Sequence, residues 1–134
     1  MNVSCYTITD TGVYFIIEGN PRKNRRHGVS ATGQRYNTKE HKALVASLAR
    51  AHRESGAPTM AHGVLEVTIV TYWPKFKRCL PGALVSLGDV DAPISGILDA
   101  MEKARVIDND ARVVRLAAEK HHGAANTHVV VRRR

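Results

Sequence analysis

The chain has 134 residues, 43% of them hydrophobic and 24% charged, with 20 Lys and Arg against 12 Asp and Glu, a formal net charge of +8 and a pI near 9.9. That length suits a single domain, 1–134, with a core that needs no disulfide or structural metal. No apolar run approaches the ~20 residues of a membrane span, and the first residues lack a basic-then-apolar secretory pattern. The expectation is a cytoplasmic protein with no membrane partner, whose basic excess points to a polyanion such as nucleic acid. Cys5 and Cys79 are far apart and belong to no CxxC or Cys/His ligand spacing, which argues against a disulfide framework and a zinc site. The histidines fall in no HxxxH or HExxH pattern and read as surface or satisfied core residues.

Two β-prone runs, Val3 to Thr9 and Val13 to Glu18, flank Asp10-Thr11-Gly12 and predict a hairpin. Gly19 to Gly28 follows, a solvent-facing basic loop that carries Lys23, Arg25 and Arg26. Thr38 is placed to cap a helix running to about Ser55, with Leu44, Leu48 and Ala51 forming its apolar stripe and Gly56-Ala57-Pro58 stopping it. Val64 to Tyr72, rich in Val, Thr, Ile and Tyr, is the clearest strand. Trp73 to Leu87 reads as irregular because Pro74, Pro81 and Gly82 interrupt it; its first half, Lys75, Phe76, Lys77 and Arg78, interleaves cations with an aromatic ring. Ile94, Ile97, Leu98 and Met101 recur at helical spacing and predict a second helix ending near Ala104. Arg112 to Lys120 and Thr127 to Arg132 read as two closing strands around a turn at Gly123. The order ββ-α-β-α-ββ predicts an α+β fold: a small mixed β-sheet with two main helices.

The chemistry concentrates in one window. Asp89, Asp91, Asp99, Glu102, Asp108 and Asp110 place six of the 12 acidic residues between positions 89 and 110 of a basic chain. Clustered carboxylates repel one another and call for a compensating hard cation. On an extended segment Asp89 and Asp91 point to one side. Asp110 must return along a neighbouring element after a helix of about 12 residues, ~18 Å long. A purely structural reading competes, with Asp91 as a helix cap, Asp89 in a turn, and Asp108-Asn109-Asp110 as a polar loop built on Asx turns.

The stretch Asp89-Val90-Asp91-Ala92-Pro93-Ile94-Ser95-Gly96-Ile97-Leu98-Asp99-Ala100-Met101, followed in register by Val106-Ile107-Asp108-Asn109-Asp110-Ala111-Arg112-Val113, resembles the RusA family of Holliday junction resolvases. That family's pattern is roughly D-[LV]-D-N-x-x-K-x-x-x-D-A-L and then D-D-x-x-[VI]. Gly19 to Arg26 is similar to its basic loop, and Val113 to Lys120 to the strand after its second acidic cluster. The resemblance implies that Asp89, Asp91 and Asp110 are catalytic, metal-binding residues taking Mg2+, with Mn2+ able to substitute. It also implies a homodimer acting on four-way DNA junctions by paired nicks in opposing strands. Lys23, Arg25, Arg26, Lys75, Lys77, Arg78 and Lys120 are the expected DNA contacts. Asp99 matches the family's helical acid and suits either a structural hydrogen bond or catalysis. The chain departs from the pattern at Ala92, where the family has Asn, at Asn109, where it has the first Asp of a pair, and at Ser95, where it has a lysine. Lys120, Lys103 or Arg112 is available to replace that lysine. Two other readings are open: a catalytically weakened junction-binding protein of the same family, and an unrelated basic nucleic-acid-binding module.

Overall fold

The computed structural model describes residues 2–9, 11–21, 27–29, 35–74, 76–80, 83–86 and 92–134; at 9, 27–29, 35–37, 76–80, 83–86 and 92 it is the backbone that is described. Strands β1 (Val3–Thr9) and β2 (Gly12–Glu18) form the expected antiparallel hairpin, with Tyr6 opposite Tyr14. Two short strands follow, β3 (His27–Val29) and β4 (Arg35–Asn37), paired with each other. Helix α1 spans Lys39–Ser55. Thr38 caps it as expected, its Oγ1 accepting the His41 N–H at 3.0 Å. Gly56 ends it at φ 73°, a left-handed conformation that glycine adopts without steric cost.

Strand β5 (Leu65–Trp73) leads to β6 (Phe76–Leu80) and β7 (Ala83–Ser86), which pair antiparallel. The irregular segment expected from Trp73 to Leu87 is therefore corrected to a small hairpin. Phe76 to Leu80 and Ala83 to Ser86 are β-prone enough to pair; Pro81 and Gly82 lie outside the described residues. Similarly, strand β3 begins at His27, inside the stretch expected to be loop. Helix α2 covers Ala92–Lys103, and a short 3-10 turn at Asp110–Arg112 opens β8 (Val113–His122), which is followed by β9 (Asn126–Arg133).

The main sheet runs β1-β2-β9-β5-β8, antiparallel except for the parallel β5–β8 pair. It is mixed, and with α1 and α2 it makes the α+β fold expected from the order of elements. Both helices lie on one face. Leu44 and Leu48 of α1 and Ile97, Ala100 and Met101 of α2 pack in one cluster with Val13, Phe15 and Ile17 of β2, Leu65, Val67 and Ile69 of β5, and Val129 and Val131 of β9. The sheet side chains in this cluster alternate along their strands, as period 2 requires. Each large aliphatic side chain fully removed from water contributes on the order of 1.5–3 kcal/mol. Trp73 belongs to this interior at 2% exposure, its Nε1 donating to Thr71 Oγ1 at 2.7 Å.

Where α2 ends decides where the second acidic cluster sits. Arg105 adopts φ 64°, the single positive φ outside glycine among the described residues. Its N–H donates to Glu102 O at 3.1 Å and the next N–H, of Val106, to Met101 O at 2.9 Å. This is the Schellman arrangement, completed by the apolar pair Met101 and Val106, both fully buried. The chain then turns under the α1–β5 connection, where Met60 N–H donates to Val106 O at 2.9 Å and Met60 bridges Ile107 in parallel. Asp108, Asn109 and Asp110 emerge from that anchor at the protein surface.

Candidate functional site

A groove of about 560 Å³ opens beside the C-terminal half of α2, lined by Asp99, Glu102, Lys103, Arg105, Asp108 and Asp110. Its acids differ in what they are bound to. Asp108 is taken by Arg112 in a bidentate pair, Nε to Oδ1 at 2.5 Å and Nη2 to Oδ2 at 3.0 Å. Those hydrogen bonds from Arg112 hold the Asp108 carboxyl below its ordinary range and raise the guanidinium in return. Asn109 caps the 3-10 turn, its Oδ1 accepting the Ala111 N–H at 2.9 Å. The structural reading of this loop as an Asx turn is thus correct for Asn109. Asp110 is exposed, and no hydrogen bond or ion pair engages its carboxylate among the described residues.

Asp99 has a structural role. Its Oδ2 receives His41 Nε2 of α1 at 2.9 Å and Lys103 Nζ, one helical turn on, at 2.8 Å. Lys103 Nζ and His41 Nε2 are 3.4 Å apart, so both converge on the same carboxylate oxygen as donors. His41 is 1% exposed and Asp99 16%; the pair therefore ties α1 to α2 through a bond largely shielded from water. Lys103, at 37% exposure, is the solvent-side member and reaches the groove.

Of the seven expected DNA contacts and three expected metal ligands, the structure describes the side chains of two. Asp110 lies in the groove. Lys120 lies on β8, opposite Thr71, away from the groove lining. Lys77 and Arg78 are in β6, but their side chains fall outside the described residues. Asp89, Asp91, Lys23, Arg25, Arg26 and Lys75 lie outside the described residues altogether. Asp91 directly precedes α2 in sequence, whereas the groove flanks the other end of that helix. Ser95, at the position of the resembled family's lysine, is exposed on α2, one turn before Asp99.

Among the described residues no three His, Cys, Asp or Glu side chains converge to hold a metal. The donor chemistry of the groove nevertheless fits a hard divalent ion at Asp110, an exposed and uncommitted oxygen ligand, and does not fit one at Asp108, whose oxygens both face Arg112. Of the three possible replacements for the missing lysine, Arg112 is engaged by Asp108 and Lys120 sits on the sheet. Lys103 alone shares the groove with Asp110.

Sequence reasoning missed Arg105. It is exposed, lines the groove, and has no ion pair among the described residues. The signal was present, because an arginine occupies the first position beyond a helix, where a left-handed residue is required and glycine is the default.

The arrangement is that of a small α+β protein with a groove between a helix end and a strand start, lined by four carboxylates and two cations. The chain belongs to the endodeoxyribonuclease RusA family, whose model matches residues 16–132. Family membership supports a junction-resolving endonuclease acting on branched DNA. No curated protein sequence matches the chain. No helix among the described residues is long and apolar enough to cross a membrane.

Proposed function

We propose that the protein is a Mg2+-dependent homodimeric endonuclease that resolves four-way DNA junctions by paired nicks, with Asp89, Asp91 and Asp110 as the metal-binding carboxylates. The observation that carries this reading is the contrast within one acidic cluster: Asp108 is locked to Arg112, while Asp110 faces the groove uncommitted. A divalent ion bound by these aspartates supplies an activated water and charge neutralisation at the phosphate. The chain's own residues do the rest. Lys103 and Arg105 meet the phosphate backbone on the rim of the groove and offset negative charge as it grows on the scissile group. Lys103 thereby takes over the task of the lysine replaced at Ser95, and the Asp99–His41 pair fixes its direction. Lys23, Arg25, Arg26, Lys75, Lys77, Arg78 and Lys120 position the arms of the junction through phosphate contacts that carry no base information.

The test is cleavage of a labelled synthetic four-way junction in Mg2+ and in Mn2+, with linear duplex as control. Wild type is expected to make symmetric paired nicks, Asp110→Asn to abolish them, and Asp108→Asn to retain them. Equal loss in both variants would sink the assignment of Asp110. A second reading is favoured by one observation, the exposed Ser95 in place of the family's lysine: a junction-binding protein of the same family with weakened cleavage. Tight junction binding without nicks in either metal would select it, and Ser95→Lys would then restore cutting.

A further inference from the structure

The face of the main sheet opposite the helices carries a continuous row of rings. Tyr6 of β1, Tyr14 of β2, His128 of β9, Tyr72 of β5 and His121 of β8 follow one another with centroid separations of 6.1, 5.6, 5.3 and 5.6 Å, crossing all five strands. Tyr14 Oη is also hydrogen-bonded to His128 Nδ1. Between the rings lie Ile16, Val70 and Val130, which the register places on this same face. Neither helix packs here, since the helix residues of the core all meet the opposite face. Tyr6 is 53% exposed.

A stripe of rings on an open sheet suits either unpaired bases or another protein surface. The charge decides between them. In a chain of net charge +8, this face carries three glutamates, Glu18, Glu66 and Glu119, against three arginines, Arg115, Arg132 and Arg134. It is neutral where the protein as a whole is basic, so it offers a polyanion no net attraction. The charges are also sorted. Arg115, Arg132 and Arg134 gather around Glu66 at one end of the strands, with Arg134 Nε 3.2 Å from Glu66 Oε1. Glu18 and Glu119 lie at the other end.

We propose that this face is the self-association surface of the protein, packed against the same face of a second copy about a two-fold axis that runs across the strands along the Tyr6, Tyr14, Val130, Thr68, Ala117 row. The inference rests on the homodimeric reading above and assigns its surface. That axis reverses the strand direction of one copy relative to the other. It lays the arginine end of each copy over the glutamate end of its mate, with Arg115 above the second copy's Glu119. Thr68 and Ala117 fall on the axis and let the two sheets approach at that side, while Tyr14 and Tyr6 on the same row meet their own copies ring to ring. Five strands at ~4.8 Å spacing and four same-face rows ~6.8 Å apart give a face of about 19 by 20 Å. Its positions, four on each of five strands, approach the ~20–30 residues a side of a standard interface.

Charge reversal tests this on the full chain. Sedimentation equilibrium is run for wild type, Arg115→Glu, Glu119→Arg and the double variant, each first checked for a wild-type melting curve, since both positions are exposed. Each contact occurs twice in a two-fold interface, so each single reversal is expected to weaken self-association about tenfold and the double to restore it. A Tyr14→Ser variant is expected to lower the dimer fraction while leaving the melt of the dilute protein cooperative. A protein that is monomeric at all concentrations overturns the proposal, as do singles that dimerise like wild type or a double that fails to rescue. A loss of single-stranded DNA affinity in Tyr14→Ser at unchanged mass also overturns it and gives the face to nucleic acid. Junction cleavage is scored in parallel, so dimerisation through another surface is told apart from failure of the resolvase reading.

Discussion

Replacing Arg105 by glycine separates what this residue does for the fold from what it does for the groove. At φ 64° its β-carbon sits against its own backbone, a cost of roughly 1–2 kcal/mol for an L-residue. Glycine relieves that cost and gives back part of it through the greater entropy of the unfolded chain, about 0.5–1 kcal/mol. The Schellman hydrogen bonds of Arg105 and Val106 are made by backbone atoms and survive the change. The net expectation is a gain of about 0.5–1 kcal/mol, which for a domain of this size raises Tm by roughly 2–4 °C. The groove meanwhile loses a cation, so the slope of log K for junction binding against log salt should flatten by about one unit. The assays are a thermal melt by circular dichroism and a salt titration of junction binding. Arg105→Lys should keep the salt slope without the stability gain. If Arg105→Gly destabilises the protein, or stabilises it with an unchanged salt slope, the strained cation has no task in DNA binding and the argument fails.

Other perturbations address the remaining parts of the structure. Asp99→Ala removes the shielded bond to His41 and should cost about 1.5–3 kcal/mol in urea unfolding, whereas Lys103→Ala removes a partly exposed i,i+4 pair and should cost under about 0.5 kcal/mol; equal costs would contradict the view that His41 and Asp99 hold the helices together. Phe15→Ala, at a fully buried site in the centre of the core, should lose about 3–5 kcal/mol, and a loss under 1 kcal/mol would mean that the site collapses around the void. Because Arg112 depresses Asp108, its carboxylate adds stability above the ordinary carboxylate range and loses it as pH falls through the lowered value. The difference in Tm between wild type and Asp108→Asn should therefore be full at neutral pH and close in acid; a gap that widens in acid would reverse the sign. Burial raises the Cys5 thiol above its usual range, so alkylation followed by peptide mass spectrometry should find Cys5 slow at pH 8 in the folded protein and fast in urea.

Much of this structure could be read from residue types. Thr38 and Gly56 delimit α1, and the stripes of both helices are buried as their periodicity requires, because capping and amphipathicity are local properties. The β6–β7 hairpin was not legible, since a Pro-Gly pair in sequence reads equally as a breaker of regular structure and as punctuation between two short strands. Strand order was not legible either. It depends on β9 pairing with β2 and β5, contacts between residues more than fifty positions apart that no window of sequence contains. In the site, spacing alone gave Asp108 and Asp110 similar standing. Arg112 lies four residues after Asp108, and that offset tells them apart only once the 3-10 turn between them is known. Asp99 was equally suited to catalysis and to structure until His41, 58 positions away, was found against it.

The position of β9 has a consequence for how the protein comes into being. Strand β9, Asn126–Arg133, is the last of the described strands in sequence order and fills the slot between β2 and β5. Until it arrives, the β1–β2 hairpin and the β5–β8 pair have no shared sheet, and Val129 and Val131 are missing from the core that both helices cover. On a ribosome adding ~5–20 residues per second, the nascent chain must keep its apolar strand edges unjoined until β9 has been made. The sheet can close only after β9 clears the exit tunnel. Its closure is then dominated by long-range pairing and slow for a domain of this size. A host chaperone that shields strand edges during that interval should raise the soluble yield more than it would for a helical protein of equal length.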